Sequence, residues 1–95
     1  MIPPVAVVAA HEFSARQRRR YEDNTPVGCF HCEAVFLAKK IDEWCDEIGE
    51  SEVTAMCPDC GIDSVISVQD VAELGVSGEQ FPQLLRAMNR RWFGQ

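Results

Sequence analysis

The sequence predicts an α+β fold, and three observations lead there. Two Cys-x-x-Cys steps, Cys29 to Cys32 and Cys57 to Cys60, are separated by 24 residues. Short apolar runs of strand length flank them: Ala34–Leu37, Val53–Met56 and Ser64–Val68. Two stretches with a helical apolar period, over about 39–48 and about 80–93, lie between and after them. At 95 residues the chain is the size of one domain, near the lower end of what folds alone. Apolar residues make up 46%, enough to build a core rather than a disordered chain. A core this small supplies little net stability, so a covalent or metal staple is expected.

Taken in order, residues 1–10 read as an apolar arm, with Val5–Val8 as an edge strand. Pro3 and Pro4 exclude an earlier helix start. Ser14 is placed to N-cap a short arginine-rich helix over about 15–23, which Asn24-Thr25-Pro26 ends. The first cysteine step comes next, then the strand at 34–37. From Lys39 onward Ile41, Trp44, Cys45 and Ile48 fall on one helical face. Asp42, Glu43, Asp46 and Glu47 cover the opposite face, and Gly49 is the expected stop. The strand at 53–56 leads into the second step and the strand at 64–68 leads out. Asp70–Leu74 suits one or two helical turns. In the last helix Phe81, Leu84, Leu85, Met88 and Trp92 share a face, with Pro82 in the first turn. The expected layout is an arm and basic helix at 1–26, a cysteine-bearing core at 27–68, and a loop and helix at 69–95.

The cysteines carry the chemistry. Each Cys-x-x-Cys step wraps a tight turn whose amides point at the sulfurs. Two such turns brought face to face offer four thiolates at the corners of a tetrahedron, the donor set of structural zinc. Gly28, Pro58 and Gly61 supply the backbone conformations that such knuckles need. The predicted architecture is therefore a small zinc-ribbon-like domain with one structural zinc on Cys29, Cys32, Cys57 and Cys60. A helix is inserted between the knuckles, and helices stand at both ends. Cys57-Pro58-Asp59-Cys60-Gly61 also resembles the second knuckle of rubredoxins, which hold iron on four cysteines. Cys32, however, is followed by Glu33-Ala34-Val35 and not by the glycine and aromatics of their first knuckle. The fifth thiol, Cys45, reads as core. An odd cysteine count, and a start with no positive charge before its apolar run, argue against a disulfide-bonded secreted protein and for the reducing cytosol. No stretch reaches the roughly 20 apolar residues of a membrane span.

The net charge of −6 is unevenly spread. Residues 1–20 carry +3, residues 21–79 carry −12 and residues 80–95 carry +3. An acidic middle repels phosphates and attracts basic partners. Asp42, Glu43, Asp46 and Glu47 are candidate docking residues for a basic protein. Phe30 and His31, inside the first knuckle, are contacts if exposed and core if buried. Arg16, Arg18, Arg19 and Arg20 carry the alternative reading, a nucleic-acid-binding regulator. His11 has no nucleophile at a recognisable spacing, and the sequence pairs no nucleophile with a base. A non-enzymatic interaction module, of inhibitor, immunity-factor or adaptor type, is the expectation.

Several of these residues resemble a group of small bacterial zinc-ribbon proteins without an assigned activity. The resemblance rests on Gly28-Cys29-Phe30-x-Cys32, on Ile41-x-x-Trp44 and on Thr54-Ala55-x-Cys57-Pro58-x-Cys60-Gly61-Ile62-Asp63-Ser64-Val65-Ile66. Met88 and Trp92-Phe93 extend it to the last helix and His11 and Ser14 match weakly at the start, so it spans about His11 to Phe93. It departs at His31, where the group more often has tyrosine, and over 67–80. It implies a bacterial or phage source, a cytosolic location and a zinc site, and no reaction.

Overall fold

The computed structural model describes residues 2–48 and 51–94, apart from the side chains of Glu47, Ile48 and Ser51. Strands β1 (Pro26–Cys29), β2 (Val35–Leu37) and β5 (Val65–Ser67) form an antiparallel sheet in the order β2-β1-β5. Strands β3 (Trp44–Ile48) and β4 (Ser51–Ala55) pair as a separate antiparallel hairpin. Helices α1 (Pro4–Ala10), α2 (Val68–Ala72) and α3 (Phe81–Trp92) complete the chain. The α+β class, the cysteine-bearing ribbon and the C-terminal helix agree with the sequence reading; a helix also stands at the N-terminal end, but in the apolar arm and not in the arginine-rich segment. Three elements differ from it, each for a physical reason.

The apolar arm is helical rather than an edge strand. Pro4 opens α1 at a position where a missing N–H costs nothing. Ala6, Ala9 and Ala10 favour helix over strand. Ala6, Val7 and Ala10 are buried on one face, and Val5 and Val8 are exposed on the other.

The arginine-rich segment is not an α-helix. A 3-10 turn at His11–Ser14 is followed by Arg16 in the left-handed region, at φ 56°, and by a second 3-10 turn at Arg18–Arg20. Ser14 caps no helix; its hydroxyl donates back to the His11 carbonyl at 2.7 Å. Its contacts hold the segment out of a continuous helix. The Arg16 amide donates to Thr54 Oγ1 at 2.9 Å, and Gln17, between the arginines, is fully buried.

The helix expected at 39–48 is replaced by a 3-10 turn at Ala38–Lys40 and strand β3. β4 carries β-branched Val53 and Thr54 and would leave its backbone groups unmade without a partner. Residues 44–48 satisfy them, with Trp44 opposite Ala55 and Cys45 opposite Thr54. Asp46, at φ 58°, lies between the paired residues Cys45 and Glu47, and the register is the same on both sides of it. Gly49, the expected stop, lies outside the described residues.

The sheet has a core on each side. Val27, Cys29 and Val65 point into one cluster, with Ala38, Ile41, Ala55 and Cys57. Phe30 and Ile66 point into the other, with α1 and the apolar face of α3. This is strand alternation applied to β1 and β5. Helix α3 lies close on β1 at Gly28, where a Cβ would come within 2.7 Å of Leu85 and Phe81 side-chain atoms. The close approach explains glycine at a central strand position. Before α3, Ser77 and Gln80 exchange side-chain-to-amide bonds in the manner of a capping box. Ser67 accepts the Asp70 amide at 3.0 Å and so caps α2.

Candidate metal centre

Both knuckles are built on one backbone pattern. In the first, the Cys29 amide donates to the Ala34 carbonyl at 2.9 Å, and the Glu33 amide donates back to the Cys29 carbonyl at 2.8 Å. In the second, the Cys57 amide donates to the Ile62 carbonyl at 2.9 Å, and the Gly61 amide to the Cys57 carbonyl at 2.8 Å. The equivalence extends to dihedrals. Gly61 has φ 76°, and its counterpart Glu33 has φ 66°. Glycine takes that conformation freely; glutamate is held in it by the turn.

The two turns meet sulfur to sulfur. All four Sγ atoms lie within 4.8 Å of one another. Across the knuckles, Cys29 Sγ is 3.6 Å from Cys60 Sγ, and Cys32 Sγ is 3.7 Å from Cys57 Sγ. A tetrahedron with metal–sulfur bonds of about 2.3 Å has edges of about 3.8 Å, so the spacing fits a four-thiolate metal site. All four cysteines are free thiols. Cys29 and Cys57 are buried, Cys60 is half-buried and Cys32 is exposed, so the centre sits at the edge of the core.

The surroundings are organised for anionic sulfur. The amides of His31 and Cys32 point at Cys29 Sγ, at 3.3 and 3.5 Å, and the Ser64 hydroxyl lies 3.0 Å from it. Burial pushes the Cys29 thiol up, but Ser64, these amides and Cys60 outweigh it and hold its pKa below the ordinary thiol value. Burial dominates at Cys57 and Cys60 and raises both, although the Asp59 and Cys60 amides favour the Cys57 thiolate. Without a cation, four thiolates cannot crowd into this space. A bound divalent metal replaces the protons, so binding releases them.

Two residues that complete the site were not read from the sequence. One is Ser64, whose only cue is its place just past the second knuckle. The other is Gln17. The Phe30 amide bonds the Ser64 carbonyl at 3.0 Å, which sets the phase of the β1–β5 ladder. Cys29 opposite Val65 is then a non-bonding pair, and the polar groups of Val65 point to the free side of β5. The Met56 amide bonds the Glu43 carbonyl at 3.0 Å, so by the same logic the Ala55 amide points to the free side of β4. The Gln17 amide fills the gap. Its Nε2 donates to the Val65 carbonyl at 2.9 Å, and its Oε1 accepts from the Ala55 amide at 3.2 Å. One side chain thus joins the sheet to the hairpin beside the second knuckle.

The other candidate residues are spread over the surface and core. Phe30 is buried and belongs to the core, so it is not a knuckle-tip contact. His31 is half-buried, with the Phe93 ring edge-on at 4.6 Å and its carbonyl accepting from Asn89 Nδ2 at 2.7 Å. Asp42, Glu43 and Asp46 are exposed, along the loop before β3 and on β3 itself rather than on a helix. The Glu47 side chain lies outside the described residues. Arg18 lies 4.7 Å over the Trp44 ring and donates to the Glu52 carbonyl at 2.8 Å. Arg20 grips both oxygens of the buried Asp70 carboxylate at 3.1 Å. Arg16 and Arg19 have exposed side chains. His11 stacks on Trp92, with ring centroids 4.4 Å apart. Cys45 is half-buried on β3, away from the four-sulfur cluster. No described helix is long and apolar enough to cross a membrane.

Comparison with protein-family models, curated proteins and solved structures finds no match to this chain.

Proposed function

We propose that the chain is a zinc-binding, non-enzymatic interaction module of the cytosol, of inhibitor, immunity-factor or adaptor type, whose partner is a basic protein. One observation carries the reading. Four cysteines are committed to a single site, and the hairpin that leads into it leaves Asp42, Glu43 and Asp46 exposed. Four protein ligands close a tetrahedral centre to substrate, so its metal acts on the fold and not on a reaction. Free thiolate ligands suit a reducing compartment. The resemblance to bacterial zinc-ribbon proteins points the same way. Zinc rather than iron predicts a colourless protein with one equivalent of zinc.

The test is affinity capture from native cytosol with the zinc-loaded protein, with and without nuclease. Beside it runs a variant carrying Asp42→Asn, Glu43→Gln and Asp46→Asn. Asparagine suits the left-handed backbone of Asp46, so the hairpin is retained. The expected result is a stoichiometric, nuclease-resistant basic protein that the variant no longer holds. Undiminished capture by the variant would remove the acidic surface from the reading. Partners that vanish with nuclease would replace it with nucleic-acid binding through Arg16, Arg18, Arg19 and Arg20.

A further inference from the structure

Strand β2 forms one edge of the three-stranded sheet, and among the described residues no strand pairs with its outer side. The phase of the β1–β2 ladder decides what that side presents. The Cys29 amide donates to the Ala34 carbonyl at 2.9 Å, and the Ala38 amide donates to the Thr25 carbonyl at 2.8 Å. With Val27 opposite Phe36, the bonded pairs are 25–38, 27–36 and 29–34. Val35 and Leu37, opposite Gly28 and Pro26, are in the non-bonded positions. Their N–H and C=O groups therefore point outward from the sheet. Their side chains share one face and are 56% and 37% exposed. Natural sheet edges are guarded by lysine, proline or a bulge. Val35-Phe36-Leu37 carries none of these.

We infer that this edge is an interface with a second copy of the chain, β2 against β2, antiparallel about a two-fold axis at Phe36. The edge is complementary to itself in that register. Val35 of each copy stands opposite Leu37 of the other, and both residues offer outward groups. Each copy gives two N–H and two C=O groups, so four bonds close around the axis. On the α3 side of the sheet, exposed Val35 covers exposed Leu37 twice. On the opposite side the half-buried Phe36 meets its own copy as a close, non-bonded pair, a favourable aromatic contact.

Charge selects the same occupant. Glu33 stands three residues before the axis and Lys39 three after it, and both are exposed. The register sets each Glu33 level with the Lys39 of the other copy. Among the described residues Lys39 has no acidic partner of its own chain. A three-residue edge makes a small interface, so the association is reversible and concentration-dependent. The axis is perpendicular to the sheet, so both acidic hairpins stand on one side of a six-stranded sheet. The dimer does not rest on the proposed basic partner; it would let such a partner be held at two sites at once.

The experiment is sedimentation equilibrium of the zinc-loaded protein over a concentration series. Isotope-filtered NOE spectra of a mixed labelled and unlabelled sample accompany it. The expected result is a monomer–dimer equilibrium with contacts between the Val35 and Leu37 methyls of different copies. Val35→Pro removes one outward amide per copy and no β1–β2 bond, and weakens the dimer about tenfold. Val35→Lys keeps that amide, guards the edge with charge and weakens the dimer to a similar degree, about tenfold; it decides the matter if the proline variant does not fold. Glu33→Lys weakens the dimer about fivefold, and adding Lys39→Glu restores it. Neutralising Asp42, Glu43 and Asp46 leaves it unchanged, which separates this interface from the acidic surface. A monomer at every concentration would overturn the inference. So would a dimer that Val35→Lys leaves intact, or one whose contacts between copies fall on the exposed Val5 and Val8 of α1. A double charge variant that stays weak would overturn the register.

Discussion

Gln17 offers the sharpest test of how this fold is held together. It is fully buried, and its two bonds satisfy the Val65 carbonyl and the Ala55 amide, both on residues with no exposed surface. Gln17→Leu keeps the bulk and removes both bonds. Each buried polar group left without a partner costs about 1–3 kcal/mol, so the variant loses about 3 kcal/mol when part of the gap rearranges. In a domain of this size 1 kcal/mol shifts Tm by about 4–8 °C, which places the loss at about 12–24 °C. The assay is thermal unfolding by circular dichroism at fixed free zinc, because metal that binds only the folded chain raises Tm by mass action. Arg19→Ala, on the same segment with an exposed side chain, is the control and stays within about 0.5 kcal/mol of the parent. A Gln17→Leu protein that unfolds within about 2 °C of the parent would refute the argument that one amide bridges sheet and hairpin.

The remaining predictions concern the knuckles and the sheet. Cys57→Ser removes a buried thiol of the four-sulfur cluster; with the proposed zinc there, the variant binds no equivalent of zinc and loses its cooperative unfolding, read by a chromogenic zinc assay and calorimetry. The thiols must deprotonate to bind, and burial raises Cys57 and Cys60, so zinc affinity and the stability linked to it fall as pH is lowered from about 8 to about 5. Gly61→Ala forces a side chain onto φ 76° and costs about 1 kcal/mol, whereas Glu33→Gly at the matching position of the first knuckle gains up to about 1 kcal/mol. The glutamate's exposed pair with Arg86, at 3.8 Å, offsets little of that gain. Denaturant unfolding of both variants checks the sign. Gly28→Ala overpacks the contact of β1 with Leu85 and Phe81 and destabilises by about 1–3 kcal/mol.

What could be read from the sequence was set by short-range chemistry. The four ligands come from spacing alone, and strands at 34–37, 53–56 and 64–68 come from apolar runs bounded by turn residues. Helix α3 was legible because its stripe is long, and Phe81, Leu84, Leu85 and Met88 are all buried. The failures share a cause: tertiary contacts overrode a local pattern. Ile41, Trp44, Cys45 and Ile48 have helical spacing, yet β4 needed a partner and took 44–48. The arginines at 16–20 read as a helical face, but Gln17 is drawn inward and Arg18 and Arg20 turn to Trp44 and Asp70. Strand β1 was unread because Pro26 resembles a chain break; it is tolerated there as the first residue of the strand.

The two cores assign different work to metal and helix. Helices α1 and α3 cover one face of the sheet with an apolar cluster that contains no ligand cysteine. On the other face Val27, Val65, Ile41 and Ala55 gather around Cys29 and Cys57. The layer that covers this second face is made of short loops and a hairpin that, among the described residues, pairs with no other strand, and two-stranded hairpins are marginal alone. This is therefore the face where a metal contributes most. Gln17 and the four sulfurs act at the same seam. The sulfurs join the β1–β2 turn to the β4–β5 turn, and the Gln17 amide joins β4 to β5 just beside it. Together they fix the hairpin along two lines. The acidic residues on β3 and its approach loop are thus presented in one orientation, and a rigid charged surface loses less entropy on binding a complementary one than a mobile surface does.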